Sequence, residues 1–159
     1  MEEDSPFDEA EFFRAIAQSG ARVLLIGRRA LIALGLPVLT HDYDLWVHRD
    51  DLDALNRALA PLGFVPSRTV AEAHAAGRYV LQDTEHVDVL VAQGVGTFEG
   101  TRVGFDALWA NRQLCEVAPG VMIALPELDD LIETKKFARR AKDADDLRLL
   151  EILRRERTP

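Results

Sequence analysis

Between Thr40 and His48 the chain reads Thr-His-Asp-Tyr-Asp-Leu-Trp-Val-His, and this stretch constrains the fold more than any other. A strand here sends Tyr43, Leu45 and Val47 to one face and Asp42 and Asp44 to the other. The apolar face needs a core against it, which leaves two carboxylates on a rigid strand edge. Two such charges about 5 Å apart repel by roughly 3 kcal/mol at an effective dielectric near 20. A cation between them offsets that repulsion, and oxygen-only ligation suits Mg²⁺ or Mn²⁺ rather than zinc. A polar turn leading into an ordinary strand accounts equally well for the same residues.

A third acid weighs toward the first reading. His86-Val87-Asp88-Val89-Leu90-Val91 is an apolar strand with one carboxylate inside it. Among Val and Leu a charge is costly unless it is paired, metal-bound or turned to solvent. Two strands bearing Asp42, Asp44 and Asp88 would supply the ligands of two-metal phosphoryl chemistry.

Gly27, a helix-like segment, Thr40-x-Asp42-x-Asp44 and the later strand with Asp88 together resemble the minimal nucleotidyltransferases of the polymerase-β superfamily. The run Leu131-Ile132-x-x-Lys135-x-x-Ala138-x-Arg140-x-Lys142-Asp143-x-x-Asp146-Leu147 is similar to their closing helices, and most resembles the AbiEii-type toxin branch. The resemblance covers residues 23–153 and implies an α/β (α+β) fold, a small mixed sheet with helices packed on it and a C-terminal helical segment. It implies metal-dependent transfer of an NMP from an NTP to a hydroxyl on RNA, protein or a small molecule. Asp42, Asp44 and Asp88 would be catalytic and would hold Mg²⁺ (or Mn²⁺). Gly27, Arg28, Arg29, Thr40 and Lys135 would meet the nucleotide, and an antitoxin partner is implied with the branch. The alternative is a catalytically degenerate nucleotide-binding or protein-interaction module that keeps the fold. One departure bears on the choice: the family carries Gly-Gly or Gly-Ser after its first strand, and this chain has Gly27-Arg28-Arg29.

Those arginines open a short helix, where a cation opposes the helix dipole by about 0.3–1 kcal/mol and an anion is favoured. Backbone N–H groups with a guanidinium would suit a phosphate. Alternatively, one arginine neutralises Asp42, Asp44 or Asp88 and the other is solvated. Lys135 lies on the apolar stripe of its helix, so it either snorkels to water or reaches for nucleotide phosphates.

The chain of 159 residues is long enough to bury a real core as one domain, about 20–124 for the sheet and 125–156 for the closing helices. One cysteine, Cys115, excludes an intramolecular disulfide and fits a reducing cytoplasm. With an acidic N-terminus and no apolar run near 18 residues, neither a signal peptide nor a membrane span is expected. The net charge of −8 argues against a generic nucleic-acid binder. It is uneven, because nine basic and five acidic residues lie from Lys135 onward, leaving −12 on the first 134 residues. Such asymmetry suits either a basic face for a polyanion or two solvated helix faces.

Along the chain, Ser5 and Pro6 read as the start of a helix that Gly20 ends. A strand over 23–26 is followed by a helix over 28–34. Asp50 or Asp51 caps a helix that turns Leu52, Leu55, Leu59 and Leu62 inward and ends near Pro61-Leu62-Gly63. Residues 64–65 form a short strand, 70–77 is ambiguous, and 78–82 with 86–92 reads as a hairpin. A glycine-bearing loop spans 94–100, a helix 105–112, and short strands 113–117 and 121–124. Pro126 opens the penultimate helix, whose stripe runs to Ala138, and Asp143 caps the last. The four histidines lack metal-ligand spacing, so zinc is not expected.

Overall fold

The computed structural model describes residues 7–157. The expected Ser5–Pro6 helix start lies outside them. Helix α1 is Glu9–Gln18, and Asp8 caps it by accepting from the Glu11 amide at 3.1 Å. Phe12, Phe13 and Ile16 form its buried face.

Strand β1 (Val23–Ile26) is apolar throughout and buried throughout. Gly27 then turns the chain directly into α2 (Gly27–Ala33). Strand β2 (Tyr43–Val47) carries the acidic motif, and helix α3 (Leu52–Leu59) buries Leu52, Leu55 and Leu59. Asp51 precedes α3 but does not cap it with its side chain. Its carboxylate instead takes the Arg22 guanidinium at 2.7 Å and the Arg22 amide at 2.8 Å. Strand β3 is only Val65–Pro66. The ambiguous stretch is helix α4 (Val70–Ala76), fixed by a Thr69–Glu72 capping box at its start and left-handed Gly77 at its end.

Strands β4 (Arg78–Gln82) and β5 (His86–Leu90) form the expected hairpin. The glycine-bearing stretch is a small two-stranded ribbon, β6 (Gly94–Gly96) with β7 (Arg102–Gly104). Helix α5 is Phe105–Ala110, and β8 (Gln113–Ala118) pairs with β9 (Val121–Leu125). Helix α6 (Leu128–Thr134) is shorter than its apolar stripe suggested. Its last turn tightens as the Lys135 amide bonds the Ile132 carbonyl at 3.1 Å, and the chain turns away before Ala138. Helix α7 (Ala141–Arg157) begins ahead of the expected Asp143 cap, so Asp143 sits in its first turn and not at its cap.

The main sheet has the order β1-β2-β5-β4-β3, mixed because β2 and β5 run parallel and the other neighbours antiparallel. One face carries Leu25, Leu45, Val87, Val89, Tyr79 and Leu81 into the large core, which α1, α3 and β9 also enter. The other face carries Leu24, Ile26 and Trp46 into a smaller core with Phe105 and Leu108. Asp44 and Asp88 lie on this second face, beyond the end of that smaller core. Among the described residues no helix is long and apolar enough to cross a membrane.

Candidate active site

Strand register brings the acids together. Parallel pairing of β2 with β5 sets Asp44 opposite Asp88, and antiparallel pairing of β1 with β2 sets Ile26 opposite Asp44. A cavity of about 580 Å³ opens over them, lined by Asp42, Asp44 and Asp88 and by six cations: Arg28, Arg68, Arg78, Lys135, Arg140 and Lys142. Gly27 and Thr40 line it as well.

Gly27 is required on two counts. Its φ is +68°, and a Cβ there would stand 2.5 Å from Asp44 Oδ2. The absence of a side chain therefore lets the carboxylate nest against the strand-to-helix turn. Burial, then Asp88, then Asp42 push the Asp44 carboxyl up to about 6, against a smaller opposing pull from Lys135 and Lys142. No lysine, arginine or histidine among the described residues pairs with Asp42 or Asp44, while Asp88 meets His86 Nε2 at 3.3 Å.

The expected arginine counter-ion to these acids is not what forms. Arg28 donates from Nε to Asp146 Oδ2 at 3.2 Å and from Nη1 to the Leu39 carbonyl at 3.2 Å. Arg29 turns out of the cavity. It binds Glu9 at 3.3 Å and the Thr40 carbonyl at 3.0 Å, and stacks 4.1 Å over the Tyr43 ring. Thr40 spends its hydroxyl on the Asp42 amide at 3.0 Å, which shapes the entry to β2. Lys135 does not snorkel to water. It is 6% exposed, with Nζ 2.8 Å from Asp146 Oδ2 and 3.8 Å from Asp143 Oδ1. Asp143 in turn accepts from Arg140 Nε at 2.7 Å.

Sequence reasoning missed four participants. Arg68 and Arg78 line the cavity on the β4 side. His86, set aside because it makes no zinc set, contacts Asp88. Asp146, fully buried, is the anion on which Arg28 and Lys135 meet.

A divalent cation fits the chemistry of the acids, since three carboxylates line one cavity with no lysine or arginine paired to them among the described residues, and burial together with the charges of Asp88 and Asp42 raises Asp44. No three acidic, imidazole or thiol groups among the described residues yet converge on one point. Asp42 stands exposed one residue before β2, so a cation would have to draw it inward.

Two solved structures share this arrangement of elements. The candidate nucleotidyltransferase TM1012 of Thermotoga maritima superposes with a TM-score of 0.60 at 17% identity, over 92% of this chain and 90% of that one. The antibiotic-resistance factor ANT(2'')-Ia superposes with a TM-score of 0.61 at 14% identity, over 92% of this chain and 87% of that one. The chain has the nucleotidyltransferase fold. No family model and no curated relative matches the sequence. In this nucleotidyltransferase fold the parallel pair β2–β5 presents its acids at the cavity floor, and α6 and α7 form the opposing wall.

Proposed function

We propose that the protein is a metal-dependent nucleotidyltransferase that moves an NMP from an NTP to a hydroxyl. The observation that carries this reading is the pairing of Asp44 with Asp88 on adjacent strands, with no lysine or arginine ion-paired to either among the described residues, at the floor of a cation-rimmed cavity. Asp42, Asp44 and Asp88 would hold Mg²⁺ or Mn²⁺, which when bound would neutralise charge developing on the α-phosphate and on pyrophosphate. Asp88 faces the acceptor, takes the proton of its hydroxyl and shares it with His86. As the acceptor oxygen bonds to the α-phosphorus, the bond from that phosphorus to the bridging oxygen breaks and pyrophosphate leaves with the electron pair. Lys142 lines the cavity on the helical side with no ion-pair partner among the described residues, so it is open to the nucleotide phosphates. The toxin role with an antitoxin partner rests on the likeness of the C-terminal motif alone.

A second reading has its own support. Arg28 and Lys135, the cations expected at the phosphates, are both held by Asp146. A chain that has turned these groups inward would bind nucleotide weakly and serve as a degenerate module. Incubating the protein with Mn²⁺ or Mg²⁺ and each α-labelled NTP, with and without bulk RNA, separates the two. Label transfer that Asp88→Asn abolishes supports the enzyme, and no transfer with any NTP supports the degenerate reading.

A further inference from the structure

We propose that Arg68 and Arg78 form an anion site for the acceptor, so that the acceptor carries a phosphate near the hydroxyl that receives the nucleotide. The inference deepens the transfer reading above and rests on it.

The register across the sheet places the pair. Val80 lies opposite Asp88 and Arg78 opposite Leu90, so Arg78 and Asp88 share one face of neighbouring antiparallel strands. Passing from β1, that face presents Ile26, Asp44, Asp88 and then β4. Lys135 and Lys142 act on Asp44 from the helical side. Arg68 and Arg78 stand beyond Asp88, and both line the cavity. The two cationic walls thus flank the acids, one beside Asp44 and one beside Asp88.

Both arginines lack a carboxylate ion pair among the described residues, and Arg68 feels Glu72 only at longer range. Arg68 Nη1 donates to the Arg78 carbonyl at 2.7 Å, which pins its guanidinium against the β4 backbone at the residue that carries the second one. Ser67 fastens the same segment to β4, its amide donating to the Val80 carbonyl at 2.8 Å and its hydroxyl oxygen accepting from the Val80 amide at 2.9 Å. No carboxylate among the described residues pairs with either arginine. Glu72, the acid nearest in sequence to Arg68, spends its carboxylate on the Thr69 amide at 3.0 Å. Two guanidiniums lining one cavity wall favour an anion, and a phosphate there would accept forked, charge-assisted hydrogen bonds from them. Such a phosphate would hang the acceptor's hydroxyl over Asp88.

The test fills the nucleotide side first. The full chain is saturated with a non-hydrolysable ATP analogue and Mn²⁺, then titrated calorimetrically with ribose, ribose 5-phosphate and the dinucleotide ApA. Ribose 5-phosphate or ApA is expected to bind at least about tenfold more tightly than ribose, about 1.4 kcal/mol. Arg68→Ala and Arg78→Ala should each erase that preference and leave analogue affinity within twofold. Preference for ribose 5-phosphate alone identifies a phosphorylated small molecule, and preference for ApA alone a nucleic-acid strand. No preference in either arm, or one that survives both substitutions, overturns the anion site. Failure of the analogue to bind overturns the transfer reading instead, and the same titrations without analogue still decide whether the arginines hold phosphate.

Discussion

The two walls of the cavity treat charge in opposite ways. On the sheet side, Asp42 and Asp44 act on each other with no cation among the described residues paired to either, and burial above all keeps Asp44 near a carboxyl pKa of 6. On the helical side, Lys135, Asp143, Asp146, Arg28 and Arg140 form a closed set in which every charge meets an opposite one within 4 Å. The sheet side is left destabilised in a way that an added cation would cure. This set on the helical side is already cured by its own residues, Lys142 apart, and it ties α2 to α6 and α7. Charge in a site is therefore a poor guide to chemistry until its partners are known. The uncompensated charges are the ones poised for a ligand, and the compensated ones hold the wall in place.

The largest effect should come from breaking the compensated side. Lys135→Met leaves Asp146 buried with only the Arg28 contact, and one Asp146 oxygen, Oδ1, already lacks a partner. Removing one member of a buried pair costs about 3–5 kcal/mol. With Arg28 still in place, a loss near 3 kcal/mol is expected in urea unfolding. Adding Asp146→Asn should restore part of it, and additive losses in the double variant would contradict a coupled network.

The uncompensated side should respond with the opposite sign. A carboxyl raised to about 6 in the fold and near 3.8 unfolded binds more protons when folded, so its ionisation weakens the fold as pH rises from about 4 to 6. The cost above pH 6 is at most about 3 kcal/mol, from some two pKa units at 1.36 kcal/mol each. Asp44→Asn should therefore stabilise the metal-free protein at pH 7–8, with the gain vanishing below pH 4. Thermal melts across that range check it, and a gain that persists unchanged at pH 3.5 contradicts the assignment.

Gly27→Ala sharpens the comparison at the seam between the two walls. A left-handed φ costs an alanine about 1–2 kcal/mol, and its Cβ displaces Asp44 Oδ2 from its nest. The expected outcome is a modest fall in stability with a much larger fall in label transfer. Equal transfer by the variant would separate Asp44 from the chemistry.

Much of this was legible in the chain itself. Period-two alternation at Tyr43, Leu45 and Val47 placed Asp44 on the face opposite the large core, because one-sided burial leaves a strand little freedom of register. The hairpin around Asp83-Thr84-Glu85 also held more than was read from it. Counting outward from that turn sets Val80 against Asp88 and so puts Arg78 on the acidic face. The helical wall was harder to read. Arg28 and Asp146 are far apart in sequence, and nothing local says that a guanidinium after β1 will meet a carboxylate of α7 before it meets one of β2. Asp143 looked like a cap because Asp suits that position, but its ion pairs with Arg140 and Lys135 lie inside the first turn. The end of α6 was missed because an apolar stripe reports which face is buried, not where the chain leaves the helix.

We propose above all that the acids on β2 and β5 take a divalent cation. Mn²⁺ titration followed by thermal melting, on the parent and on Asp44→Asn at pH 7.5 with NTP present, tests it most directly. At a hundredfold excess over its dissociation constant the cation should stabilise the parent by about 2.7 kcal/mol, or roughly 5–10 °C for a chain of this size. The shift should saturate, and Asp44→Asn should lose most of it. A parent that melts at the same temperature with and without Mn²⁺, or a variant that keeps the full shift, would contradict the account.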